Sequence, residues 1–173
     1  VNEFSDFARM PKPIFKKNEL NKVVNDSISL MKTNDKDINI NFDSKEVYYV
    51  NSDIDQLNRV FINLFKNSIE SLKEKHEKMG NFQKKIDVEI QLINDYINII
   101  VKDNGTGFAN NDLGILSKPY FTTKKEGSGL GLSIVEKILN DHNGFIEFIS
   151  QKEGAKIKIL LPKYVNWNFD NWW

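Results

Sequence analysis

Cysteine is absent from the 173 residues, which excludes disulfides and thiol chemistry but does not fix a compartment. Long hydrophobic runs are absent too, and none approaches the ~18–20 residues of a membrane span. Net charge is missing: 24 Lys and Arg balance 24 Asp and Glu. That balance leaves no electrostatic footprint for nucleic acid or an acidic membrane surface. Histidine is scarce, with only His76 and His142. No signal peptide is visible and the first residue is Val1, so the chain is expected to be a fragment of a longer protein. The Walker A pattern (Gly, four residues, Gly-Lys, then Ser or Thr) is also absent.

What remains is enough for one ordinary domain with a real core. The apolar fraction of 40% is slightly low and the charged fraction of 28% slightly high. Phe4, Phe7, Ala8 and Met10 have helical spacing, and Pro11 and Pro13 end the pattern. Composition fits either a helix entered partway or a frayed terminus. Over 19–32, Leu20, Val23, Val24, Ser27, Ile28 and Met31 share a helical face, with Asn18 as N-cap. Ile38, Ile40 and Phe42 alternate with polar residues as in a strand, and Val47 to Val50 predicts another.

Ser52 or Asp53 is expected to cap a long helix from Ile54 to Lys78, closed at Gly80. Its buried stripe would be Leu57, Val60, Phe61, Leu64, Phe65, Ser68 and Leu72. Lys85 to Ile93 and Tyr96 to Lys102 read as strands joined through Asn94-Asp95. A helix from Leu130 to Asp141 ends at Asn143-Gly144. Phe145 to Ile149 and Lys156 to Leu161 are the last strands, turning at Glu153-Gly154. The tail after Pro162 holds all three Trp residues; packing on the body, a partner interface and a terminal artefact fit it equally.

Four stretches carry possible chemistry. Asn63 and Asn67 lie one helical turn apart, so they share a face. Two solvated polar residues would look the same; the functional reading is a carboxamide oxygen on a Mg²⁺ ion that also binds a nucleotide's phosphates. Lys66 and Glu70 lie on or near that face, and Lys66 could reach a phosphate, though such a Lys is more often solvated. In DNGTGF, Asp103 closes an apolar strand, where a carboxylate needs a donor such as adenine's exocyclic amine. Gly105 and Gly107 allow positive φ and close approach of a flat base, although Asp-Asn-Gly is also a common turn string.

Gly127, Gly129 and Gly131 alternate just before a helix, where backbone N–H groups can cradle phosphate. The stretch from Ala109 to Glu126 mixes turn formers with Leu113, Ile115, Leu116, Tyr120 and Phe121, and reads as a lid. Thr122, Thr123, Lys124 and Lys125 would meet the terminal phosphate when it closes.

In this order, the Asn-bearing helix, DNGTGF, the aromatic lid with TTK and GSGLGL resemble the catalytic ATP-binding domain of sensor histidine kinases. These belong to the Bergerat-fold ATPases, with type II topoisomerases, mismatch-repair ATPases and Hsp90-type chaperones. The resemblance covers about residues 19–162, and EFSDFARMPKP is similar to the end of the dimerisation helix in NtrY-like sensor kinases. It implies an α/β (α+β) two-layer sandwich: a mixed, largely antiparallel sheet covered on one face by three helices. Residues 1–13 would be helix end and linker, 14–162 the catalytic domain and 163–173 an aromatic tail.

The resemblance also assigns roles. Asn67 matches the Mg²⁺ ligand, Asn63 the Asn one turn earlier, and Asp103 the adenine-binding Asp, with Gly105 and Gly107 around the base. Phe121 matches the lid aromatic, with Thr122 and Thr123 beside it, and Lys124 the phosphate contact. Gly127, Ser128, Gly129, Leu130, Gly131 and Leu132 match the glycine-rich end of the lid. The implied reaction moves the ATP γ-phosphoryl group to a His on a dimerisation domain, then to an Asp on a response regulator receiver domain. The implied setting is a cytoplasmic domain of a homodimeric parent anchored in a bacterial inner membrane, with the fragment itself able to be monomeric.

Asn63 stands where hydrolysing relatives have a water-activating Glu, which favours transfer over hydrolysis. Neither His lies in an acceptor-like motif, so the acceptor is expected outside the chain. Gly154-Ala155 replaces the family's Gly-Thr, which removes a hydroxyl near the adenine site. The alternatives are an energy-coupling ATPase, a protein-serine kinase of anti-sigma type, and a non-catalytic scaffold.

Overall fold

The computed structural model describes residues 10–108 and 131–166. Seven strands and three helices occur among them: β1 (Lys16–Glu19), α1 (Leu20–Asn34), β2 (Asn39–Asp43), β3 (Tyr49–Ser52), α2 (Ile54–Met79), β4 (Lys85–Ile93), β5 (Tyr96–Asp103), α3 (Gly131–Asp141), β6 (Phe145–Ser150) and β7 (Ala155–Pro162). Five strands form one sheet in the order β2-β4-β5-β7-β6, and β1 pairs with β3 in a small separate ribbon. Only β2 and β4 run parallel; the other neighbours are antiparallel.

Alternation along the strands explains why one face is covered. In β4, Ile86, Val88 and Ile90 point inward, as do Ile157, Ile159 and Leu161 in β7, while their neighbours face out. The inward set meets Leu57, Phe61, Leu64, Phe65 and Leu72 of α2, with Val23, Val24 and Ile28 of α1 and Ile134, Val135 and Ile138 of α3. Each such side chain contributes ~1.5–3 kcal/mol on burial. The expected two-layer α/β sandwich is therefore the observed one.

Local chemistry sets the element ends. Asp53 caps α2, its Oδ1 accepting the N–H groups of Asp55 and Gln56, both at 3.1 Å. Gly80 ends α2 at φ 82°, a backbone that favours glycine. Asn94 turns the β4–β5 hairpin at φ 56°. The sequence reading missed β1 and misplaced the α1 cap. Glu19 holds that position without a side-chain bond. Asn18 instead lies in β1, its amide donating to Ser52 O at 2.8 Å, so cross-strand pairing takes the capping group. The second predicted strand also starts later, at Tyr49.

Phe4, Phe7, Ala8, the stretch from Ala109 to Leu130 and the Trp-bearing end of the tail lie outside the described residues.

Candidate functional site

A polar ridge borders the apolar stripe of α2. Asn63, Asn67, Ser71 and Lys75 recur every four residues, the spacing of one ridge on a helix surface. Asn63 and Asn67 are half-buried, and Lys66 is exposed. At one end the ridge meets α3: a side-chain carbon placed on Gly131 would lie 3.9 Å from Asn63 Oδ1. Gly131 and Leu132, both half-buried, open that helix. The helix packing thus brings Asn63 and the start of α3 together.

At its other end the ridge meets the turn after β5. Asp103 is only 5% exposed. Its Oδ1 accepts the Gly105 N–H at 2.9 Å and the Ala155 N–H at 3.3 Å, and its carboxylate also bonds the Ser68 hydroxyl from α2. Burial pushes the carboxyl above the ordinary carboxylate range, against the lowering effects of Gly105, Ser68, Ala155 and the Lys75 charge. A buried carboxylate held this way is suited to accept from a ligand amine.

The glycines differ in what they permit. Gly107 has φ 78° and Gly154 has φ 73°, while Gly105 is not in the positive-φ region. Gly105 is needed for close approach to α2: an added side-chain carbon would sit 2.8 Å from the Ser71 carbonyl carbon. The expected freedom of φ at Gly105 is thus replaced by a packing constraint. A side chain on Gly154 would run into the Asp103 carbonyl, so the β6–β7 turn lies directly on the DNG turn.

Several contributors escaped the sequence reading. Ser71 Oγ accepts the Thr106 N–H at 2.9 Å. Lys75 Nζ donates to Asn104 O at 2.8 Å and to Glu153 Oε1 at 2.7 Å. Asn104 clips the α2–β4 connection to β5, accepting the Lys85 N–H at 2.9 Å and donating to Gln83 O at 2.8 Å. The ridge spacing was the available signal, since Ser71 and Lys75 continue the register of the two Asn residues. Phe121, Thr122, Thr123, Lys124, Gly127, Ser128, Gly129 and Leu130 lie outside the described residues.

His142 has a structural task. Its Nδ1 lies 2.7 Å from Ile138 O and its Nε2 accepts the Asp53 N–H at 3.1 Å, which requires a neutral ring protonated at Nδ1. Burial holds its pKa below the usual histidine value, although Ile138 O, Asp53 and Asp141 favour the charged form. Asp53 Oδ2 accepts the Ile14 N–H at 2.8 Å, and Phe15 meets the His142 ring edge-on at 4.9 Å. Gln56 donates to Pro11 O at 3.0 Å, so the segment before β1 is fastened to the start of α2 and the end of α3.

The donor set fits Mg²⁺ in one respect. Asn63 and Asn67 offer neutral amide oxygens beside a helix start, and a hard cation that keeps waters and phosphate oxygens needs few protein ligands. Among the described residues no group of three His, Asp or Glu side chains could hold a metal ion. Such an ion would therefore depend on phosphate for much of its coordination.

The profile of the "Histidine kinase-, DNA gyrase B-, and HSP90-like ATPase" family matches residues 52–165. The chain belongs to this family. The match runs from the α2 cap through β7, and so includes both ends of the ridge. A sensor histidine kinase of the NtrY-like type from Rickettsia conorii is 38% identical over 161 residues, covering 92% of this chain and 26% of the relative. Nitrogen regulation protein NtrY of Azorhizobium caulinodans is 30% identical, covering 93% and 21%. The chain thus spans about a quarter of the length of these relatives. The solved catalytic domain of histidine kinase ThkA is 26% identical, with a TM-score of 0.72 and coverage of 87% of this chain and 96% of that one. The mycobacterial sensor histidine kinase MprB, at 20% identity and a TM-score of 0.74, shares the fold. The ATP-binding assignment and the sensor kinase resemblance drawn from sequence motifs both agree with these matches.

Proposed function

We propose that this ATPase-family domain is the catalytic part of a sensor histidine kinase. It would bind ATP with Mg²⁺ and pass the γ-phosphoryl group to a His on a separate helical domain. The bond between the γ-phosphorus and the β–γ bridging oxygen breaks, a bond from phosphorus to an imidazole nitrogen forms, and ADP leaves. A receiver-domain Asp would take the group next. The observation that carries this reading is Asn63 on the site ridge, in the place where hydrolysing relatives have a Glu. A carboxamide cannot take a proton from water at neutral pH. An imidazole acceptor is already a nucleophile when neutral, so it needs no such base.

Asp103 would accept from the adenine amine, with the turn around Gly105 and Gly107 beside the base. Asn67, assisted by Asn63, would hold Mg²⁺, which offsets phosphate charge. Lys124, Thr122 and Thr123 would contact phosphate, with Phe121 closing over it; Gly127, Ser128, Gly129 and Leu130 would lead to the α3 start. Lys66 is exposed and would act only as a distant charge. No described helix is long and apolar enough to cross a membrane, and an inner-membrane anchor would belong to the parent. Residues 1–13 would be the link to a dimerisation domain and 163–173 an appended tail.

The test mixes this chain with an NtrY-like helical domain bearing its acceptor His, using ATP labelled at the γ position. Acid-labile, base-stable label on that domain is expected, and Asn67→Ala should suppress it by removing the side chain that would hold Mg²⁺. ATP hydrolysis without label transfer would refute the kinase reading and leave an energy-coupling ATPase.

A further inference from the structure

The α2 ridge ends in a lysine that no part of the proposed phosphoryl transfer uses. Lys75 has a side chain only 12% exposed, against 65% for its partner Glu153. Its ammonium donates to Asn104 O at 2.8 Å and to Glu153 Oε1 at 2.7 Å, and stands 4.7 Å from the Phe82 ring centroid. One charge therefore ties α2 to the turn after β5, to the β6–β7 turn and to the α2–β4 connection.

Those first two turns are the ones that hold Asp103. The β5 turn supplies the Gly105 N–H, and Ala155, which opens β7 directly after the β6–β7 turn, supplies its N–H to the same carboxylate oxygen. Both turns are anchored to α2 through Lys75. The Lys75 charge also favours the ionised Asp103 carboxylate, behind the hydrogen bonds from Gly105, Ser68 and Ala155.

We propose that Lys75 is the positioning residue of the base subsite, setting the orientation of the Asp103 carboxylate and thereby the preference for a 6-amino purine over a 6-oxo purine. This rests on the reading of Asp103 as the base contact. A carboxylate accepts from the amine of adenine and repels the carbonyl oxygen of guanine. Loosening the two turns weakens the first contact and relaxes the second, so discrimination falls from both sides. The contacts of Lys75 are to the turns around the base contact and to Phe82, so its loss is expected to act on the base rather than on the shared triphosphate. Withdrawing its charge also makes Asp103 easier to protonate, because that charge favours the ionised carboxylate.

The experiment is calorimetric titration of the full 173-residue chain with non-hydrolysable ATP and GTP analogues across pH, for wild type, Lys75→Met, Lys75→Arg and Asp103→Asn. Lys75→Met should weaken ATP-analogue binding about tenfold, the effect of losing ~1.4 kcal/mol of oriented charge-assisted hydrogen bonding. GTP-analogue binding should hold or rise. The acid-side loss of ATP affinity should begin at higher pH, since protonated Asp103 cannot accept. Lys75→Arg keeps the charge and should restore most of the preference. If Lys75→Met keeps wild-type affinity, preference and pH profile while Asp103→Asn loses ATP, this inference is overturned and the base-contact reading stands. If neither variant changes ATP binding, both are overturned. Should Lys75→Met not fold, Glu153→Ala decides instead: it removes the acceptor of one anchor without touching the helix, and an unchanged analogue preference there overturns the inference.

Discussion

Replacing Asp103 with Asn should separate stability from binding. The amide keeps an oxygen for the Gly105 and Ala155 N–H groups, at 2.9 and 3.3 Å in the wild type, and its NH₂ can donate to the Ser68 hydroxyl. The fold therefore loses no hydrogen bond, and a 5% exposed charge disappears. The folded carboxyl titrates above its unfolded value, so at neutral pH the ionised group costs the native state free energy. That cost is fully present above the folded pKa and is relieved as pH falls toward the unfolded value of ~3.9. Asp103→Asn should accordingly melt at or above the wild-type temperature at pH 7, with the difference shrinking in acid.

Binding should go the other way. The amide NH₂ would face the adenine amine, donor against donor. A hydrogen bond to a charged acceptor contributes ~1.5–3 kcal/mol, so ATP should bind about 10- to 150-fold more weakly. Thermal melts at several pH values, paired with calorimetric titration of an ATP analogue, read both quantities. A variant that melts lower at neutral pH yet binds ATP as the wild type does would refute the reasoning on both counts.

Gly154→Ala should destabilise the domain by more than ~1 kcal/mol, because φ is 73° there and the new carbon meets the Asp103 carbonyl; chemical denaturation checks this. His142 should make the domain acid-sensitive. Its folded pKa lies below the unfolded value of ~6.5, so stability should fall as pH drops from there through the folded pKa. Urea midpoints at pH 7.5 and 5 should show this in the wild type, and a His142→Gln variant should lack that step. Phe61→Ala, in the fully buried stripe of α2, should cost ~3–5 kcal/mol by the same denaturation assay.

The fold was readable where one element's periodicity sufficed. The stripe of α2, the β4–β5 hairpin around Asn94 and the alternation of β7 each lie in a single continuous stretch. β1 was not, because Lys16–Glu19 has no apolar alternation and becomes a strand only by pairing with β3. Much the same division holds at the site. Asp103 and its glycines form a local string, so their nature showed. Ser68, Ser71 and Lys75 touch that string from α2, and Glu153 reaches it through Lys75; the four-residue register of Ser71 and Lys75 marks a shared ridge but not what the ridge touches. The structural task of His142 is equally invisible in sequence, because its contacts with Asp53 and Phe15 join residues far apart in the chain.

The fastening of the segment before β1 has a mechanical side. Asp53 and His142 join the start of α2 to the end of α3, while Asn63 and Gly131 meet at the opposite ends of the same lengths of helix. The two antiparallel helices make the long sides of a frame about 15 Å long, from ten residues at ~1.5 Å rise each. One short side carries Ile14 and Phe15, and the other is the junction beside Asn67. Ile14 and Phe15 are thus seated on the same helix pair that carries the Asn63–Gly131 junction, one frame length away.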